Sequence, residues 1–208
     1  MEQRSHRQFE SMLAVARERL LRHTPEELAH RAAVSLVDGG LEVESFGRRV
    51  HVSLPDCAAA PTLDMWHTLT LLHYLDLADG TALSGRMMAF SQYQDGMVRG
   101  GGFDRHAEQV LRRLGTVPPE ALRRRCLALG GQLLPSNADL CARFDFMPRY
   151  PLWLRLWLPD EEFPASGRLF VDECAAHYLT VEDAVTVGDL LLTLLLEESP
   201  SVCRASHR

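Results

Sequence analysis

Apolar residues recur at helical spacing near the start of the chain. Phe9, Leu13, Ala16 and Leu20 share one face, which predicts an amphipathic helix from Gln8 to His23. Thr24-Pro25-Glu26-Glu27 marks a second helix start. Thr24 caps, Pro25 suits the first helical position, and Glu27 closes a capping box. After Ala33 the period shortens to two. Residues 34–54 alternate β-branched and polar positions and turn at Asp38-Gly39-Gly40 and Gly47-Arg48, which predicts a small antiparallel meander. Pro61-Thr62 opens a third helix, Leu63 to Leu77, carrying Trp66, Leu69, Leu72 and Tyr74; Asp79-Gly80 stops it. Leu83 to Tyr93 reads as a strand or an extended loop.

Two further helices are predicted over Arg105–Leu114 and Pro119–Leu129, with Gly130-Gly131 ending the second. Leu140–Phe146 and Leu152–Leu158 read as strands joined by MPRYP. A short helix follows the Phe163-Pro164 step, and a last helix capped at Thr180 runs to about Glu197. The final residues, 198–208, read as a frayed tail. Helices and strands mix without regular βαβ alternation. The expected fold is α+β: antiparallel sheet segments packed against several helices in a single compact domain, with a helical part at 8–33, the meander at 34–54 and a mixed remainder.

Composition narrows the function classes. Net charge is −6, so the global field does not favour nucleic acid. All 22 basic residues are arginine, which removes Schiff-base and Walker-type lysine chemistry. The five cysteines, Cys57, Cys126, Cys141, Cys174 and Cys203, contain no CxxC pair. That argues for free thiols in a reducing cytoplasm rather than a disulfide framework or a local metal knuckle. The N-terminus has no uninterrupted apolar stretch of signal-peptide type, and the apolar run Leu190–Leu196 is too short to span a bilayer.

Candidate chemistry concentrates in a few places. Asp160-Glu161-Glu162 follows an apolar strand, and alternation lets Asp160 and Glu162 converge on a hard cation; the alternative is a solvated turn pinned by Phe163-Pro164. Asp172 and His177, five apart, diverge on a helix by about 140°. Glu173 and His177, at i and i+4, share a helical face and complete the candidate metal set of Asp160, Glu162, Glu173 and His177. A surface ion pair explains the latter two equally. Arg99-Gly100-Gly101-Gly102-Phe103 reads as a loop before a helix capped by Asp104, either an anion cradle or a mobile turn; it matches no phosphate-binding glycine motif. His73, Tyr74, Trp157, Phe103 and Arg99 are the candidate cofactor-binding residues. Trp153 and Trp157 share a strand face with Arg155, fit either to line an aromatic pocket or to pack under a helix.

Three segments carry a resemblance: LTLLHYLDLADGTALSG (Leu69–Gly85), LGGQ (Leu129–Gln132) and LWLRLWLPDEEFPASGRLFVDECAAHYLTVEDAVTVG (Leu152–Gly188). With WxxDEEFP, LFxD and YLxxED in order, the chain resembles an uncharacterised prokaryotic family, domain-of-unknown-function family 3786. The similarity is expected from the first helix to the last. The resemblance implies a single intact domain and brings no catalytic residues with it. It implies an anaerobic prokaryotic setting, an iron–sulfur or corrinoid-linked protein as partner, and a metal ion, corrinoid or other tetrapyrrole as cofactor. The resulting expectation is a small-ligand or cofactor-handling accessory protein. The alternatives are a non-catalytic interaction domain supporting a redox or one-carbon enzyme, and a metal-dependent hydrolase.

Overall fold

The computed structural model describes residues 2–197, with side chains from Phe9 onward; the predicted tail at 198–208 and Cys203 lie outside the described residues. Helix α1 (Glu2–Leu20) buries Phe9, Leu13, Ala16 and Leu20, the predicted stripe. Helix α2 (Pro25–Ala32) starts with the capping box in both directions: Glu27 N donates to Thr24 Oγ1 at 3.2 Å and Thr24 N donates to Glu27 Oε2 at 3.0 Å.

The meander follows as β1 (Ser35–Val37), β2 (Gly40–Ser45), β3 (Arg48–Ser53) and a short β4 (Ala59–Ala60), all antiparallel and in sequence order. Its β2–β3 turn puts Phe46 and Gly47 at φ 47° and 71°, a left-handed pair that glycine makes cheap at the second position. Helix α3 (Met65–Leu77) begins two residues later than predicted. Asp64, not Thr62, caps it, accepting from Trp66 N at 2.8 Å.

Residues 83–93 hold a two-residue strand, β5 (Met87–Met88), and a 3-10 turn at Phe90–Gln92. The predicted glycine loop is a correction. Arg99 to Phe103 lie inside helix α4 (Gly96–Leu114), and Asp104 is no N-cap. Its carboxylate reaches back to accept from Phe90 N at 3.2 Å and Ser91 N at 3.0 Å. Packing, not propensity, makes this helix. A Cβ on Gly100 would collide with the Phe90 carbonyl, so glycine permits the close approach of the 3-10 turn.

Helix α5 (Pro119–Ala128) leads into a five-stranded antiparallel sheet of order β5-β9-β8-β7-β6, with β6 (Gln132–Leu133), β7 (Leu140–Met147), β8 (Tyr150–Trp157) and β9 (Ser166–Asp172). Strand β9 was not anticipated. One sheet face buries Phe144, Leu152, Leu154, Leu156, Leu169 and Val171; on that side Gly167 lies under Leu111 of α4. The opposite face carries Trp153, Arg155 and Trp157, so these are not the residues packed under α4. There the Arg143 guanidinium lies 5.8 Å from the Trp153 ring centroid and Arg155 5.8 Å from Phe170.

Helix α6 (Val181–Leu196), capped by Thr180, buries Leu191, Leu192 and Leu195 against one continuous core; each such leucine stabilises the fold by about 2 kcal/mol. The architecture is α+β, two antiparallel sheets with six helices among the described residues. No helix among the described residues is long and apolar enough to cross a membrane.

Candidate functional site

Helices α3 and α6 pack against each other, with His73 in the C-terminal half of α3 bonded to Asp183 in the first turn of α6, and residues from the start of α3 and along α6 line a groove of about 810 Å³. Its α6 wall runs from Glu182 to Glu197, about 22 Å of helix at 1.5 Å per residue. The apolar lining comes from Leu63, Trp66 and Leu69 at the start of α3, Met12 of α1, Phe46 of the meander, and Leu190 and Leu194 of α6. Trp66 keeps 43% of its surface exposed there, with Phe9 set edge-on to its ring at 5.9 Å. The size and apolar lining fit a small-molecule site.

The polar groups of the groove are held in place. His67 is buried, 2.7 Å from Ser45 Oγ through Nε2; burial, helped by the Arg48 charge, brings its pKa down to about 4, so the ring is neutral near pH 7. Burial pushes the Asp183 carboxyl up, but hydrogen bonds from His73 Nδ1 at 2.7 Å and Thr180 Oγ1 at 2.7 Å outweigh it and hold it below the usual range. Arg99 Nε donates to Glu182 Oε2 at 2.7 Å, tying α4 to the start of α6. Asp189 is only 3.7 Å from His106 Nε2, and burial raises its pKa.

Of the nine sequence-predicted site residues, Arg99 lines this groove. His73 supports it from behind through Asp183. Tyr74 is fully buried: its hydroxyl donates to Ala32 O at 2.9 Å and accepts from Arg149 N at 3.2 Å, while its ring stacks on Tyr178 at 5.4 Å. Phe103 is core, 4.4 Å from the Phe90 ring. Trp157 ends β8, opposite Ser166. These rings form no common aromatic pocket.

The four expected metal ligands are not brought together. Asp160 is exposed and its carboxylate accepts from Glu162 N at 2.9 Å and Phe163 N at 2.7 Å, which makes a solvated turn. Glu162 is exposed in that turn. Glu173 and His177 lie at the other end of β9, about 20 Å along seven residues of strand. The helical spacing predicted for them fails because 175–177 form a single 3-10 turn that begins after Glu173. Glu173 pairs with Arg86 at 2.5 Å, and His177 Nδ1 lies 2.7 Å from Asp79 Oδ2. Among the described residues no group of three or more His, Cys, Asp or Glu is arranged to hold a metal ion.

Sequence reasoning missed the groove residues Asp189, Leu190 and Leu194. A signal was present: Leu190–Leu196 is apolar around more than one stripe, more than a single core face uses.

A search of curated proteins and a search of solved structures found no match to the chain. The family described as domain of unknown function (DUF3786) matches residues 24–193. The match opens at the Thr24 cap, so it leaves α1 outside, contrary to the expected start at the first helix, and spans both sheets and all but the last turn of α6. The chain belongs to the DUF3786 family.

Proposed function

We propose that this chain is a small-ligand-binding accessory protein whose ligand lies in the α3–α6 groove. The observation that carries the reading is the groove itself: about 810 Å³, walled by Trp66, Leu63, Met12, Leu190 and Leu194 and edged by fixed polar groups. A cofactor-handling role is one form of this reading. An organic cofactor suits the apolar walls better than a coordinated metal does, since among the described residues no His, Cys, Asp or Glu cluster is arranged to hold one. The partner enzyme implied by the family resemblance, an iron–sulfur or corrinoid-linked protein, belongs to the same proposal.

Filling the groove tests the reading. Thr193 lines it and is exposed, so Thr193→Trp adds bulk without disturbing the core. Organic compounds that raise the melting temperature of the wild type must fail to raise that of Thr193→Trp; equal responses in both proteins contradict the proposal.

A second reading, an interaction domain, rests on Met97 and Val98. They are 84% and 85% exposed on the first turn of α4, beside Arg99. Under that reading Met97→Glu abolishes co-purification of a partner enzyme, and unchanged recovery argues against it.

A further inference from the structure

Resting on the reading that the α3–α6 groove holds a ligand, we infer that this ligand is an organic cation, an apolar body bearing an ammonium- or amidinium-type group. The walls carry five carboxylates, Asp64, Glu182, Asp183, Asp189 and Glu197, against two guanidinium groups, Arg48 and Arg99, and the one histidine lining them is neutral. The carboxylates are not equivalent. Asp64 is committed to the α3 N-terminus, Glu182 to Arg99, and Asp183 to His73 and Thr180.

Among the described residues Asp189 has an ion-pair partner, His106, but none at hydrogen-bond distance. His106 stands 3.7 Å away, beyond an ordinary charge-assisted bond. The Asp189 side chain is about half-exposed beside Leu190, so it faces the groove open to an incoming group. Burial raises its pKa, the His106 and Arg99 charges oppose that in part, and a cation in the groove acts in the same sense as those two. Trp66, half-open on the α3 side of the same groove, supplies the aromatic surface that cations favour. A ligand rich in carboxylates or phosphates, including an anionic macrocycle, would meet an excess of like charge along the whole α6 wall.

The test uses three probes with one tricyclic body: 9-aminoacridine as the cation, acridone as the neutral form and acridine-9-carboxylate as the anion. Each is titrated calorimetrically into the full chain near pH 7 at low salt. The cation is expected to bind at least about tenfold more tightly than the carboxylate, and to lose about half of that advantage near 1 M salt. Asp189→Asn is expected to weaken the cation about three- to tenfold and leave acridone unchanged. Thr193→Trp is expected to abolish binding of all three, which places the probes in the groove. Equal or tighter binding of the neutral or anionic probe overturns the cation assignment and leaves the groove reading standing. Silence from all three probes, with the variants folded by circular dichroism, overturns both.

Discussion

Asp172 offers the sharpest stability test. It is 1% exposed, and its carboxylate gathers the loop before β5. Oδ1 accepts from Ser84 N at 3.0 Å, Ser84 Oγ at 2.9 Å and Cys174 N at 3.0 Å, while Oδ2 accepts from Gly85 N at 2.8 Å. Asp172→Asn can keep the Oδ1 set but turns an amide N–H₂ toward the Gly85 N–H. One charge-assisted bond is lost and a buried donor is left facing a donor, which costs about 2 kcal/mol. Asp172→Ala removes all four bonds. Part of that loss is offset because the carboxylate's own burial cost disappears, leaving about 4 kcal/mol. With a urea slope of about 2 kcal/mol per molar, the midpoint falls by about 1 M for Asn and about 2 M for Ala. Burial pushes the Asp172 carboxyl up, but its hydrogen bonds outweigh this and hold it below the ordinary range. A depressed pKa contributes stability that is full above the unfolded value near 4 and is lost as pH falls through the folded one. The gap between wild type and Asp172→Asn must therefore be full at pH 7 and shrink below about pH 4. A midpoint shift under about 0.2 M at pH 7, or a gap that ignores pH, would refute the clamp.

Other expectations are independent of that loop. Gly102→Ala, whose Cβ would project into open space on α4, stabilises the protein by about 0.5–1 kcal/mol, whereas Gly188→Ala drives a methyl into the Phe103 ring and costs about 1–3 kcal/mol; urea denaturation of both variants checks the contrast. His67 is mostly neutral at pH 5 and titrates with a midpoint near 4 in a proton NMR titration. Because its folded pKa is lowered to about 4, stability is full above the unfolded value near 6.5 and declines, by on the order of 3 kcal/mol, as pH falls from there toward 4; a midpoint near 6.5 in the folded protein contradicts this. The thiols of Cys126 and Cys174, pushed up to about 12 by burial, and the buried Cys57 and Cys141 resist a thiol reagent at pH 8 until urea unfolds the chain; mass spectrometry showing early labelling at any of the four contradicts their placement.

What the sequence revealed was mostly local. The Thr24 box, the Thr180 cap and the meander turns depend on residues within a few positions of one another, so their spacing is legible. The helical state of 96–104 was not, because Gly100 answers to the Phe90 carbonyl and Asp104 to the backbone of 90–91; glycine's weak helix propensity points the other way. Strand β9 hid behind its exposed Ser166 and Arg168, and only pairing with β8 makes it a strand. Asp172 stood out as part of LFxD, yet its role as a loop clamp depends on residues 84–85, which lie far away in sequence. The groove was least visible. It exists because α3 meets α6, as in the His73–Asp183 bond across 110 residues, and no short-range pattern encodes that meeting. The acidic turn at 160–162 drew attention through composition alone and proves to be a closed Asx turn.

Ligand binding in the α3–α6 groove leaves a footprint that can be read residue by residue. Amide chemical-shift mapping of the full protein with 9-aminoacridine tests it most directly. Shifts are expected to concentrate on Trp66, His67, Asp189, Leu190 and Leu194 and to be absent from the 160–163 turn and the Asp79–His177 corner. Shifts centred on either of those two places, or spread evenly over the surface, would contradict it.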